Sequence, residues 1–329
     1  MNAVISLVAV VVLFLVGLLG GWAGILFGVI IPYLAVALFL GGLIYRVISW
    51  ANVPVPFRIP TTCGQQQSLP WIEQAKVDNP STTFGVIVRM ALEVLIFRSL
   101  LRNTKTVLRE SGKIAYAGSL ALWLGAMMFH WSLLVILLRH LRFLTEPAPF
   151  LITILQEVDG FLLLQVWMPV LYLSSILFLV GLAYLLFRRL ASPQLRYISL
   201  AIDYFPLFLL LGIGISGLWL RHLSKTDVGS IKELAVGLVT FSPVVNNTIN
   251  SLFFGHIFLV CVLLAYFPFS KLVHMAGVFL SPTRNMANNN RAVRHVNPWD
   301  YPVKTHSYEE YEDEWREKMK GAGVPVDKE

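Results

Sequence analysis

Cysteine is nearly missing. Cys63 and Cys261 are the only two in 329 residues, which excludes a disulfide framework and any CxxC metal site. Cys261 falls inside an apolar run, where a thiol behaves as a small hydrophobe. Cys63, in TTCGQQQ, is expected as reduced packing on the cytoplasmic side. Charge is scarce too: Asp, Glu, Lys and Arg make up 14% of the chain, about half the usual share of a soluble domain. No nucleophile–base pair, phosphate-binding loop or internal repeat occurs, so nothing points to this chain performing bond chemistry by itself. The net charge of +7 is not gathered into a basic soluble module, which leaves nucleic-acid binding without a platform.

What is abundant is hydrocarbon. Hydrophobic residues reach 56% and mean hydropathy is +0.68. A membrane crossing needs about 20 mostly apolar residues. The first 50 residues carry no charge before Arg46, long enough for two crossings, and the cluster Gly20-Gly21-Trp22-Ala23-Gly24 supplies the break. Four more spans are predicted at about Ile114–Leu141, Phe161–Phe187, Ile198–Leu220 and Leu252–Val278. The expected fold class is an all-α integral membrane protein, a six-transmembrane helix bundle. The first segment lacks a basic n-region and a small-residue cleavage site, so it reads as a retained anchor and not a signal peptide.

Lys and Arg number nine from Arg46 to Lys113, three from Arg188 to Arg196 and nine from Lys271 onward, against two (Arg139, Arg142) and three (Arg221, Lys225, Lys232) between those stretches. The positive-inside rule puts both termini and the long second connection in the cytoplasm of an inner-membrane protein. Within that connection, FGVIVRMALEVLIFRSLLRN reads as an amphipathic helix at the interface. The C-terminal SYEEYEDEWREKMK reads as a short helix suited to docking, since it is too small to build a core alone.

Four of the seven histidines fall within spans: His130 and His140 in the third, His256 and His274 in the sixth. Ionisable groups at membrane depth are costly and mark functional interiors. The two spans run antiparallel, so His140 and His256 share the outer level, and His130 and His274 the inner one. Eighteen residues make five whole helical turns, which puts His256 and His274 on one face about 27 Å apart, while His130 and His140 are separated by about 15 Å. Each couple can hold something that accepts two neutral imidazole nitrogens, and haem iron does so with one axial ligand on either side. Zinc would want four ligands, and a proton wire would want acidic partners; spans three and six contain no Asp or Glu. Those two alternatives and plain packing remain open. Arg139, Arg221 and His222 crowd the outer level, and Lys271 lies one turn before His274, as candidate contacts for haem propionates or a quinone carbonyl.

The segments IPYLAVALFLGGLIYR, FHWSLLVILLRH and GHIFLVCVLLAYFPFSKLVH resemble the cytochrome b subunit of the respiratory nitrate reductase gamma family. TTCGQQQSLPWI, RMALEVLIFRSLLRN and NPWDYPVKTHS are similar to its sulfur-metabolism branch, the DsrM/Hme-type membrane subunit of the sulfite-reductase-associated DsrMKJOP complex. The first span is extra relative to the five-helix nitrate reductase pattern. The resemblance implies two haem b groups, held by His140 and His256 on the outside and by His130 and His274 on the inside. It also implies menaquinone or another quinone as substrate, and a cytoplasmic iron–sulfur partner like heterodisulfide reductase. A periplasmic multihaem cytochrome c and further membrane subunits belong to the same implied assembly. The chain would then divide into two N-terminal helices (1–48), a cytoplasmic connection (49–113), a four-helix haem-binding region (114–280) and a docking tail (281–329). A non-redox membrane anchor for a cytoplasmic enzyme is the alternative.

Overall fold

The computed structural model describes residues 1–53, 58, 64–102, 104–161, 170–224, 226–291, 293 and 304–328. Cys63 and most of the NPWDYPVKTHS stretch lie outside the described residues. In chain order the elements are α1 (Asn2–Leu18), α2 (Ile31–Ala51), α3 (Thr83–Ile96), β1 (Lys105–Leu108), β2 (Ile114–Ala117), α4 (Leu120–His140), α5 (Phe150–Phe161), α6 (Leu173–Ala191) and α7 (Pro193–Ile198). They continue as α8 (Ala201–His222), α9 (Val228–Val239), α10 (Ser251–Tyr266), α11 (His274–Leu280) and α12 (Tyr308–Gly321). Among the described residues six helices are long and apolar enough to cross a membrane, built on α1, α2, α4, α6, α8 and α10. The chain is an all-α, multi-pass membrane bundle.

Without water in the hydrocarbon, every backbone group must be satisfied within its own segment, so the apolar runs become helices. Lipid gives helices no hydrophobic reason to associate, and close backbone approach takes that role. At the crossing of α1 and α10 a Cβ on Gly17 would lie 2.8 Å from the Cα of Gly255, and one on Gly255 would lie 2.8 Å from the Phe14 ring, so both positions favour glycine. Val10, Leu209 and Leu259 fill the space between α1, α8 and α10. On the other side α6 lies along α4 and leans on α8, with Phe129, Phe178, Leu182 and Leu210 between them.

Polar contacts tie the ends. The Asn2 amide donates to Ser199 O at 3.0 Å and the Ser6 hydroxyl to Ala201 O at 2.8 Å. Arg46 Nε donates to Pro268 O at 3.0 Å. The start of α1, the end of α2, the start of α8 and the end of α10 therefore meet at one end of the bundle. A cluster of Phe27, Ile231, Leu234, Ile249 and Phe254 closes the other.

Three spans differ from the sequence-based expectation. The third begins at Leu120, because Ile114–Ala117 is instead the second strand of a hairpin with Lys105–Leu108. The Ser119 hydroxyl accepts from Leu122 N and caps α4. The fourth begins at Leu173, twelve residues beyond the expected Phe161, with α5 as a separate helix before it. The Asp159 carboxylate starts it, accepting from Ser174 N at 2.8 Å and Ser174 Oγ at 2.7 Å. The sixth is not continuous. It tightens at Pro268 and breaks at Ser270, which is extended (φ −120°, ψ 177°), so His274 opens a helix of its own. Proline removes a helical hydrogen bond and crowds the preceding turn.

At the end that holds Asn2 and Arg46, the connection folds into a cap. The indoles of Trp123 and Trp131 on α4 donate to Ile96 O and Leu95 O, at 2.7 and 3.0 Å, pinning the end of α3. The amphipathic segment thus ends against α4 beside His130, with Phe97 in the left-handed region (φ 50°) as its cap. Arg284 joins the cap through Glu93 at 3.0 Å, and Asp78 bridges Arg98 and Arg102. Burial works to raise the Asp78 pKa, but the two guanidiniums prevail and hold it below its ordinary value. A carboxylate depressed in the folded state stabilises the fold above its unfolded pKa of about 3.9, and that contribution is lost as pH falls through the folded value. Hydrogen-exchange protection of α3 should hold at neutral pH and fall away below about pH 4. Asp78→Asn should lower protection already at neutral pH and remove the acid-dependent loss; a variant that keeps the wild-type acid profile would assign the effect to other carboxylates.

Candidate functional site

Two levels of paired imidazoles define the site. His130 and His140 stand on the unbroken α4, and ten residues of helix give about 15 Å between them. The break at Ser270 means that the eighteen-residue helical count between His256 and His274 is no ruler for the second rod. The inner couple nevertheless meets: the His130 and His274 rings lie 6.0 Å apart between centroids, at 82° to one another. Phe97 and Phe129 stand edge-on to His130 at 4.9 and 4.6 Å. At the other level Phe143, whose ring centre is 5.9 Å from that of His140, packs against the cluster of Phe27 and Phe254, the latter two residues before His256 on α10.

Each of the four rings has Nδ1 engaged. His130 Nδ1 meets Ala126 O at 2.8 Å, His140 Nδ1 meets Ile136 O at 2.7 Å, and His274 Nδ1 meets Lys271 O at 2.8 Å. His256 Nδ1 meets Ser216 Oγ at 2.9 Å. A carbonyl can only accept, so the proton sits on Nδ1 and the lone pair on Nε2. This is how a metal-ligating histidine is oriented and made more basic. Among the described residues none of the four Nε2 atoms takes part in a hydrogen bond.

The inner spacing fits one metal between two rings. Two metal–nitrogen bonds of about 2.0 Å, plus roughly 1 Å from nitrogen to ring centre at each end, come to about 6 Å. No group of three or more His, Cys, Asp or Glu side chains gathers among the described residues. The donor set at the inner level is thus two imidazoles, which suits an ion whose other positions a macrocycle fills, as in haem.

Near His140 the charges are organised, not scattered. Arg139 and Asp159 are both buried, with Nη1 and Oδ2 3.1 Å apart. The contact is an ion pair whose angle falls outside hydrogen-bond geometry. The Arg139 guanidinium also lies 3.7 Å from the Tyr172 ring centre, and Arg221 lies 4.5 Å from the same centre. Arg221 Nε donates to Val170 O at 3.1 Å, and Arg142 reaches Gln156 at 3.2 Å. One tyrosine thus gathers two cations, of which Arg139 is paired with Asp159. His222 makes no hydrogen bond to this group: its Nε2 is buried without a partner of that kind, and the ring borders an apolar hollow of about 380 Å³ beside Leu179 and Trp219. Lys271 is at the opposite end, its Nζ 2.5 Å from Asp203, next to a second hollow of about 280 Å³ with Arg46 and Tyr266.

Sequence reasoning singled out the four histidines, Arg139, Arg221, His222 and Lys271. It missed Asp159, Asp203, Phe97 and Ser216. Asp159 sits in QEVDGF, where it and Glu157 are the two acids between apolar runs, a readable signal. Ser216 carried none, because its partner lies forty residues away on another helix.

Residues 81–295 match the family described as nitrate reductase gamma subunit, a stretch from α3 to beyond α11 that leaves α1 and α2 outside. A protein of Archaeoglobus fulgidus is 46% identical over 284 residues, covering 84% of either chain. One of Archaeoglobus profundus is 44% identical over 276 residues, covering 82% of this chain and 81% of its own. Each carries the name Hdr-like menaquinol oxidoreductase cytochrome b-like subunit.

Proposed function

The chain belongs to the nitrate reductase gamma subunit family, and from that premise and its paired imidazoles we propose that it is the dihaem b membrane subunit of a quinone-linked respiratory complex. It passes electrons between the quinone pool, menaquinol by analogy with its relatives, and a cytoplasmic iron–sulfur subunit like heterodisulfide reductase in dissimilatory sulfur metabolism. The observation that carries this reading is the inner couple: two imidazoles 6.0 Å apart, each with Nδ1 bound to a carbonyl and Nε2 left to ligate.

His130 and His274 would hold one haem, and His140 and His256 the other. Haem iron supplies reversible one-electron exchange without bond making in the protein. The chain's own residues do the rest. Phe97 and Phe129 wall the His130 ring, and α4 keeps the two levels about 15 Å apart. Arg139 and Arg221, held on Tyr172, place positive charge beside His140, where propionates or a quinone oxygen would sit. The Lys and Arg asymmetry supports placing both termini in the cytoplasm of the inner membrane. The ties among Asn2, Ser199, Arg46 and Pro268 fit that placement. Electrons entering near His140 and leaving near His130 move inward across the membrane, a displacement worth about 2.3 kcal/mol per charge per 100 mV for a full crossing.

A reduced-minus-oxidised absorption spectrum of the purified complex tests this directly. The expected result is a sharp b-type α-band that titrates in two steps and is reduced by a menaquinol analogue. A colourless subunit from haem-replete cells would leave the non-redox anchor as the function.

A further inference from the structure

Three of the four paired imidazoles are steadied by a carbonyl of their own segment, and His256 is the exception. Its Nδ1 meets a side chain on a neighbouring helix, Ser216 Oγ on α8, at 2.9 Å. Ser216 is 5% exposed, and its hydroxyl donates to Ile213 O at 3.0 Å. A hydroxyl has one hydrogen to give. With that hydrogen on the carbonyl, what faces His256 is a lone pair, so the imidazole proton is on Nδ1 and Nε2 keeps the free lone pair that can bind a metal. The next residue makes the approach feasible: a Cβ on Gly217 would lie 3.2 Å from His256 Cε1, so the ring rests where a larger residue would press on it. Ser216 and Gly217 together form a seat on α8 for a ring that belongs to α10.

We propose that Ser216 is the positioning residue of the His140–His256 haem, fixing the tautomer and orientation of His256 and setting that haem's potential separately from its partner's. The inference rests on the bis-histidine reading above. Hydrogen bonding at Nδ1 raises the basicity of a ligating imidazole, and a more basic ligand favours the oxidised iron. The chain Nδ1–H to Oγ–H to O=C is polarised along its length, which strengthens each link in a low-dielectric interior. At the inner level both rings bind backbone carbonyls, which no side-chain substitution removes. Among the described residues His256 alone of the four has a side chain as its Nδ1 partner, which a point change can delete, so the outer haem is the one whose axial hydrogen bond is open to mutation.

The test is a redox titration and low-spin ferric EPR spectrum of the full complex carrying Ser216→Ala or Ser216→Thr. In the alanine variant one midpoint potential should shift upward and one EPR signal should move, with the second haem unchanged. Threonine keeps the hydroxyl and should restore wild-type values. Loss of one haem in the alanine variant, with both retained in the threonine variant, supports the same role. Both potentials and both signals unmoved in the alanine variant would overturn it, as would equal displacement of the two haems or loss of haem from both variants. A wild-type complex without haem absorbance removes the underlying reading and the inference together, whereas a coloured complex with unresponsive variants removes the inference alone.

Discussion

His130→Ala removes one haem and leaves the other in place. In the proposed function the residue is one of two ligands, in a couple whose rings are 6.0 Å apart, and among the described residues no group of three or more donor side chains could take its place. Changing an outer-sphere partner of a ligand typically costs 10–100-fold in metal affinity, so deleting the ligand itself should exceed about 100-fold. The α-band should fall by about half, with the surviving haem titrating as a single step. His274→Ala should give the same spectrum, since it empties the same couple from the other side. His140→Ala and His256→Ala should remove the complementary haem. Electron transfer from quinol to the proposed cytoplasmic partner should stop in all four, because the proposed path runs through both levels in series. His222→Ala is the control: it lies on α8 beyond both couples and should keep both bands. Any single axial substitution that leaves two full bands breaks the pairing.

Asp159→Ala should be the most damaging change outside the four histidines. The carboxylate pairs with buried Arg139 and holds both the backbone and the hydroxyl of Ser174 at the start of α6. Removing one partner of a buried ion pair leaves an uncompensated charge and costs about 3–5 kcal/mol; loss of a helix cap adds about 1 kcal/mol. Arg139→Leu should be milder, because it leaves the cap intact. The double variant Arg139→Leu with Asp159→Leu should be less destabilised than the two single losses combined, since no charge is stranded. Thermal unfolding in detergent, followed by haem release, reads each difference. Strict additivity would show that the 3.1 Å contact carries no coupling.

The spans and the histidines were legible for the same reason. Hydrocarbon tolerates neither open backbone nor idle imidazole, so both leave marks in a single sequence. The six crossings follow from composition, and His130 with His274 follows from depth. Where sequence reading went astray, a local polar contact had overruled hydropathy. The apolar IAYA stretch looks like helix until the facing KTVL strand pairs with it, and Gly112 (φ 76°) supplies the turn. The start of α6 depends on Asp159, which no apolar count detects. The break at Ser270 spoils helical arithmetic between His256 and His274 without preventing the inner pairing. Ser216 was invisible because a serine in a membrane helix usually satisfies itself on its own turn; that it also reaches His256 is a property of packing.

The first helix has a bearing on where such a protein can be cut. The match to the family model begins at residue 81, yet α1 is wedged between α8 and α10, its Val10 against Leu209 and Leu259 and its Gly17 against Gly255. A fragment started at residue 81 would trade that wall for acyl chains, equally oily but without shape, along the very rod that presents His256. The stretch that the family model matches is thus smaller than the stretch that must be made for the rods to stand in register.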